Sequence, residues 1–287
     1  MALLALSLCG TTGCLFRSRT VEAKRASTPL RTATQQQLIE EINRMADSIH
    51  TMNATVDVDT TVGGEKKGKI TEYQQIRGYI LAEKPKMLRM IGLLPIVHNK
   101  AFDMVSDGDR FKLYIPPRNR LVVGNDELTK ISPNTLENLR PQVIYDALLM
   151  PAIDPNNEVA VLEQGLQQVV DAKTHKSEAQ PNYHIVVIRR TGNNSWHLNR
   201  KIYFSRADLT PYRQTIYNDK GGIATDVNYS DPQDFNGVKF PSLIQIERPE
   251  EEYSIALKLV KLTLNEPIKP EQFQLELPAG VSVTELF

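Results

Sequence analysis

The sequence predicts a mainly β protein of the α+β class. One wide, curved antiparallel sheet would form an incomplete barrel of about eleven strands, with helices covering its concave side. Hydrophobic and polar residues alternate with a period of two over most of the chain after residue 51, as in strands that bury one face. Turns rich in Gly, Asn and Asp separate these segments, which is typical of antiparallel hairpins. Helical periodicity is confined to the region before the strands and to the middle of the chain.

Residues 1–13 have the pattern of a bacterial lipoprotein signal peptide, with Cys14 as the lipidated residue. A short apolar segment is followed by small residues that lead up to Cys14. Acyl chains on this thiol would anchor the mature protein to a membrane at roughly 0.8 kcal/mol per buried CH₂. The pattern is incomplete, because no Lys or Arg precedes the apolar segment and Thr11 stands where Leu is usual. Cys9 fits less well because the bulky Leu8 precedes it, and an ordinary buried thiol is the alternative for Cys14.

Residues 14–33 are predicted to form a flexible tether, and residues 34–287 a single folded domain. The tether is polar and basic and buries too little apolar surface to fold. Its cations either favour anionic headgroups beside the anchor or keep a simple spacer solvated. They are Arg17, Arg19, Lys24, Arg25 and Arg31, with Glu22 as the one acid.

The folded domain is predicted to begin with a helix over residues 35–50. Thr34 and Gln37 have the spacing of a capping box, in which each side chain bonds the backbone amide of the other residue. An apolar stripe with helical spacing requires a hydrophobic surface to cover. The stripe consists of Leu38, Ile42, Met45 and Ile49.

A first group of strand-like segments follows, with its clearest hairpin turn at residues 106–109. Gly108 in that turn tolerates the positive φ that tight hairpins need. The segments are residues 52–62, 69–83, 86–91, 97–105, 110–115 and 120–123.

The middle of the chain is predicted to be partly helical. Ser132-Pro133 and Arg140-Pro141 each resemble a helix start, because proline is tolerated in the first turn. Residues 158–170 fit either a short helix or a strand. Residues 173–182 are polar and are predicted to be a loop.

A second group of strand-like segments extends almost to the end of the chain. A sheet this wide must coil, and its concave side becomes a cavity if the helices do not fill it. The segments are residues 183–190, 199–205, 212–218, 222–230, 241–247 and 253–264.

Composition and motifs give no indication of catalysis, and we expect neither an enzyme nor a cofactor. Lys and Arg number 34, as do Asp and Glu, so no net field attracts nucleic acid. Both cysteines lie within the first fourteen residues, which leaves the mature body without a disulfide or a thiolate metal site. The five histidines show no metal-ligand spacing, and no nucleophile-elbow or phosphate-loop motif occurs.

Several segments resemble the LolA/LolB-like superfamily of bacterial envelope proteins, which carry or receive lipoproteins. Residues 102–116 are similar to the family's central hairpin, and residues 262–281 to its closing strand and tail. The resemblance implies an incomplete barrel around an apolar cavity for acyl chains. It also implies a periplasmic carrier protein as a possible partner and, for a chain anchored by diacylglycerol and palmitate on Cys14, a LolB-like receptor. Leu15, in place of the Asp that retains lipoproteins in the inner membrane, implies the inner leaflet of the outer membrane.

The LolB-like resemblance also implies an apolar loop that helps insert cargo into the membrane. Leu93 and Leu94 occupy the matching place here, and folding back into the core is the alternative for both. The middle segment of this chain is longer than that of LolB, so the resemblance does not imply the same cargo.

The apolar strand faces supply candidate residues for the lining of the acyl cavity. Transfer of an acyl chain from water to this surface would be favourable by roughly 25 cal/mol per Å² of apolar area buried. Ordinary core packing is the alternative for each of them. The candidates are Met90, Phe102, Met104, Phe111, Leu113, Tyr203, Ile216, Val227, Ile244, Ile255 and Leu257.

Two further functions remain open from the sequence. A regulatory or assembly lipoprotein could bind a protein partner on the same sheet, and a hollow filled by Leu38, Ile42 and Met45 would favour that function. An unrecognised hydrolase would require Asp or His residues that gather in a cleft.

Overall fold

The computed structural model describes residues 29–286, except residues 67, 127–139, 171–174, 176, 193 and 194. The predicted signal peptide, Cys14 and most of the predicted tether lie outside the described residues. The helix start predicted at residues 132–133 also lies outside them.

One sheet of fifteen strands makes up most of the protein. Its strands are β1 (Thr51–Gly64), β2 (Lys69–Glu72), β3 (Ile76–Glu83), β4 (Met87–Leu93), β5 (Lys100–Ser106), β6 (Arg110–Ile115), β7 (Arg120–Asn125), β8 (Glu158–Val170), β9 (Ser177–Thr191), β10 (Ser195–Ser205), β11 (Pro211–Tyr217), β12 (Ile223–Phe235), β13 (Val238–Arg248), β14 (Tyr253–Leu264) and β15 (Ser282–Leu286).

The sheet is open, with β15 at one edge and β8 at the other. The strand order between them is β15-β7-β6-β5-β4-β3-β1-β14-β13-β12-β11-β10-β9-β8, and β2 pairs with the end of β1. Among the described strands, β15 runs parallel to β7 and the other neighbours are antiparallel. The prediction of one wide, curved and incompletely closed sheet is therefore confirmed.

The structure has more strands than the roughly eleven that alternation predicts. Residues 69–83 fold as two strands, β2 and β3, with residues 73–75 between them. Residues 158–170 form the long strand β8, so their helical alternative is wrong. The loop predicted over residues 173–182 is also wrong from Ser177 onward, because β9 begins there and pairs with β8. Polar residues hid the strand in that stretch, because the side chains that turn inward there, Gln180 and Asn182, are polar and leave no apolar alternation.

The described residues include two α-helices, and both lie against the concave side. The first, α1 (Gln35–Ser48), has the predicted capping box: Thr34 Oγ1 accepts from Gln37 N at 3.3 Å, and Gln37 Oε1 accepts from Thr34 N at 2.9 Å. The second, α2 (Pro141–Leu148), begins with proline at the predicted position. No helix in the described part of the chain is long and apolar enough to cross a membrane.

The helices divide the core into two hydrophobic clusters. Leu38 and Ile42 of α1 share one cluster with residues of β9 and β10, among them Ile185, Ile202 and Phe204. The larger cluster joins α2 to β1, β3–β6, β13 and β14. Both helices thus fill much of the hollow, and only the space that neither reaches can receive a guest.

Candidate functional site

An open groove of about 760 Å³ lies at one end of the sheet, on the concave side. The C-terminal half of α1, the segment after α2 and the hairpin of β12 and β13 form its walls. The volume falls within the roughly 300–1,000 Å³ of typical small-molecule sites. Its mainly apolar lining includes Met45, Ile49, Leu149, Met150, Phe240 and Leu264. The groove therefore offers an apolar surface that the protein's own side chains leave vacant.

Tyr229 of β12 also lines the groove and ties the sheet to α2. Its hydroxyl donates a hydrogen bond to the carbonyl oxygen of Ala147 at 3.0 Å. Burial raises the pKa of the Tyr229 hydroxyl above its ordinary value, so this group stays a donor across the neutral range. The bond holds the last turn of α2 over β12 and keeps that wall of the groove in place.

The rim of the groove is polar. Lys84 Nζ donates to the carbonyl oxygen of Ala46 near the end of α1, and burial lowers the pKa of the Lys84 ammonium. Arg44 and Glu41 form an ion pair at 2.5 Å on the same helix. Charged groups around an apolar lining suit an amphiphile, whose chain enters the groove while its headgroup stays near water.

A buried arginine holds the segment that follows α2. Arg200 of β10 points to the concave side, and its two terminal nitrogens each donate at 2.9 Å, one to the Pro151 carbonyl oxygen and the other to that of Ala152. Its charge lies 3.7 Å from Glu158. Burial lowers the pKa of the Arg200 guanidinium. This contact network fixes one wall of the groove from below.

Asp146 of α2 lies close to the same network. Burial raises the pKa of its carboxyl from 3.8 to about 6, although Gln142 Nε2 donates to it at 2.7 Å. Gln214 of β11 is fully buried on the concave face, and its side-chain amide meets no hydrogen-bond partner among the described residues. The polar residues beneath the groove are thus only partly satisfied.

Most candidates for the cavity lining lie in the packed core, and none of them lines the groove. The buried ones are Met90, Met104, Phe111, Leu113, Val227, Ile244, Ile255 and Leu257. Phe102 is half-buried against the same cluster, and Ile216 is half-buried on β11. Tyr203 lies on the outer face, where its ring packs against His184 with centroids 4.4 Å apart. Alternation identified the inner face of most strands, but it could not show where the helices fill that face.

Sequence reasoning missed most of the groove, although it did place Met45 and Ile49 on the apolar stripe of α1. Arg200 left a weak signal, because it stands in phase with the buried Ile202 and Phe204 of the same strand. A charge at an inner position of a strand marks a group that needs buried partners.

The loop after β4 holds Leu94 of the pair predicted to insert into a membrane, but its exposed tip lies further along the chain. Leu93 ends β4 and Leu94 follows it, and both are half-buried. The exposed tip is formed by Ile96 and Val97, which are 91% and 60% exposed. Ile96 has a φ of 70°, which is sterically costly for a β-branched side chain. This tip lies at the Ile76 end of β3, whereas Lys84 at the groove follows the other end.

An ionic and aromatic group occupies the outer face near β8. Glu163 contacts Lys201 Nζ at 2.6 Å and His184 Nδ1 at 3.3 Å. Burial lowers the pKa of the His184 ring despite this carboxylate. Within the described residues, no group of three or more His, Cys, Asp and Glu could hold a metal ion.

Comparisons with known proteins identify the fold. No family model and no curated protein matches the chain. Among solved structures, it is similar to a DUF1329 family protein from Desulfovibrio piger, with a TM-score of 0.52, 13% identity and coverage of 85% of this chain and 98% of that one. It is also similar to a LolA superfamily protein from Nitrosomonas europaea, with a TM-score of 0.51, 11% identity and the same coverage of both chains. The predicted LolA-like fold is confirmed.

Proposed function

We propose that this chain, with its LolA-like fold, binds acyl chains in the bacterial envelope as a LolB-like receptor or carrier of lipoproteins. It would be held by a lipidated Cys14 in the inner leaflet of the outer membrane, facing the periplasm. The vacant apolar groove beside α1 is the observation that supports this function. The activity is reversible binding, without catalysis, a cofactor or nucleic acid.

Partition from water drives the binding. Each Å² of acyl surface that enters the groove contributes roughly 25 cal/mol, and release requires an apolar surface of comparable quality, such as a bilayer. Hydrogen bonds hold α1 along its length: Leu162 N donates to Gln35 Oε1 at 3.1 Å, Ile153 N to Asn43 Oδ1 at 2.8 Å, and Asn265 Nδ2 to Ser48 O at 2.8 Å. Movement of α1 would open the groove without breaking the sheet, but it would have to break these contacts.

An acyl-binding assay with two tryptophan variants tests the groove directly. Met45→Trp adds bulk to the groove wall, whereas Gln36→Trp adds the same bulk to the exposed side of α1. We expect Met45→Trp to weaken uptake of a fluorescent fatty-acid probe at least about tenfold, or about 1.4 kcal/mol, and Gln36→Trp to leave it unchanged. Native mass spectrometry of the Cys14→Ala protein should show co-purified lipid. Absence of lipid, together with no probe uptake by the parent, contradicts the proposal.

Anchoring and membrane insertion have separate tests. Wild type should incorporate labelled palmitate and the Cys14→Ala variant should not. A wild type that stays unlabelled would contradict the proposed lipid anchor. Within this proposal the inserting tip is Ile96 and Val97 rather than Leu93 and Leu94. Ile96→Asp should therefore slow transfer of lipoprotein to vesicles while probe binding in the groove stays unchanged.

A second candidate function is the binding of a protein partner by a regulatory or assembly lipoprotein. Burial of Leu38 and Ile42 beneath α1 favours it, because the protein's own helix fills that half of the hollow. A partner that protects α1 from hydrogen exchange, combined with no uptake of acyl probe, would support this function over lipid carriage.

A further inference from the structure

Residues 164–170 of β8 lie on an edge that no other described strand pairs with, and they lack the features that usually prevent strands from pairing between molecules. Residues 164–170 read Gln-Gly-Leu-Gln-Gln-Val-Val, without a charge or a proline. The register with β9 is continuous, so no bulge interrupts this strand. Leu166 and Val170 are 70% and 64% exposed. Natural edge strands usually carry charges, prolines or bulges, and an apolar edge without them is a pairing site.

One hydrogen bond shows which residues of β8 direct their backbone N–H and C=O groups away from β9. Leu162 donates its amide to Gln35 Oε1 of α1, so its backbone points away from β9. In an antiparallel ladder the direction alternates, and Gln164, Leu166, Gln168 and Val170 therefore point the same way. None of the described residues accepts a hydrogen bond from these four amides. The Gln35 side chain of α1 thus covers the edge as far as Leu162, and the described residues leave the edge uncovered beyond it.

We propose that this edge pairs with the same edge of a second copy of the chain. The two strands would run antiparallel about a two-fold axis at Gln167. Leu166 then lies opposite Gln168 of the second copy, and Gln164 lies opposite its Val170. This register uses all four outward-facing residues of each strand, and one sheet continues through both molecules.

Charge favours a second copy as the occupant. Self-pairing places two identical segments side by side, so a segment with charges of one sign would repel itself, whereas residues 164–170 bring no charge to the contact. The whole chain has 34 basic and 34 acidic residues, so two copies approach without net repulsion. A seven-residue strand pair is smaller than a standard interface of about 1,600 Å², so we expect weak, concentration-dependent dimers.

A charge swap at the symmetry axis tests both the occupant and the register. Sedimentation equilibrium on the full chain with Cys14→Ala should show an average mass that rises toward the dimer with concentration. Gln167→Lys and Gln167→Glu should each associate at least tenfold more weakly, because like charges then lie opposite each other. An equimolar mixture of the two variants should recover the parent's association. Gln245→Lys, an exposed position on the central strand β13, should leave it unchanged.

Disulfide trapping provides an independent measurement of the register. Residues at the axis form a non-hydrogen-bonded pair with Cα atoms about 4.5 Å apart, which a disulfide can bridge. In the full chain with Cys9→Ser and Cys14→Ser, Gln167→Cys should oxidise to a dimer. Val169→Cys should not, because it lies opposite Gly165 of the second copy. The proposal is overturned if the parent stays monomeric at the highest concentration or if both cysteine positions are trapped equally. A monomeric parent whose edge binds another protein would also overturn it.

Discussion

Asp146→Asn should stabilise the protein at neutral pH and leave its stability unchanged in mild acid. Burial raises the pKa of the Asp146 carboxyl from 3.8 to about 6, so its ionised form is disfavoured in the folded state. At 1.36 kcal/mol per pK step, ionisation costs the folded state about 3 kcal/mol, and partial contact with solvent makes this an upper limit. The cost is absent below about pH 4, grows as the pH rises through the folded-state pKa near 6, and is complete above it.

Urea unfolding followed by far-UV circular dichroism measures this effect. The free energy of unfolding of Asp146→Asn should exceed that of the parent by about 2–3 kcal/mol at pH 7.5, and equal it at pH 4. The amide oxygen can still accept the hydrogen bond from Gln142 Nε2, so that donor keeps its partner. Asp208→Asn, at an exposed position on the groove rim, should change stability at neither pH. A loss of stability at pH 7.5 would show that attraction to the nearby Arg200 outweighs desolvation, which refutes the reasoning.

Three other substitutions have expected effects on the free energy of unfolding in urea. Thr34→Ala removes the capping box of α1 and should cost about 1 kcal/mol, and an unchanged value would show that this cap contributes nothing. Gly92→Ala places a Cβ 2.4 Å from the Phe102 ring, and this overlap should cost about 1–3 kcal/mol. Gly221→Ala is the comparison, because its Cβ would meet no atom within 4 Å and any cost would come from its positive φ alone. Arg200→Met leaves two carbonyls without donors and should cost about 2–5 kcal/mol, and a loss under 1 kcal/mol would contradict their role in holding the groove wall.

Local signals made the sheet and α1 predictable. The start of α1 could be placed because Thr34 and Gln37 satisfy each other within one turn, which needs no distant partner. Alternation located most strands, because one face is buried against the helices. It failed for residues 177–182, where β9 pairs with β8 in a hairpin whose polar side chains give no apolar face to detect.

The groove could not be predicted because its position depends on distant packing. Alternation marks Phe111 and Leu257 as inward-facing, and both are buried in the core. Whether an inward-facing residue meets a helix or a vacancy depends on where α1 and α2 end, and that depends on contacts between distant segments. The bond from Tyr229 to Ala147 joins residues 82 positions apart, and no local pattern encodes it.

The positions of the groove and the loop tip constrain how the proposed receptor would work. They lie at opposite ends of β3, whose eight residues span roughly 26 Å at 3.3 Å per residue. If Ile96 and Val97 enter the bilayer, the groove at the Lys84 end faces away from that bilayer. Such an orientation suits uptake of acyl chains from a carrier that arrives through the periplasm. Release into the membrane then requires either that the body turns on its tether or that α1 lifts to free the chain along the concave side. The second route would break the hydrogen bonds of Gln35, Asn43 and Ser48 and expose the buried Leu38 and Ile42, so the first route costs less.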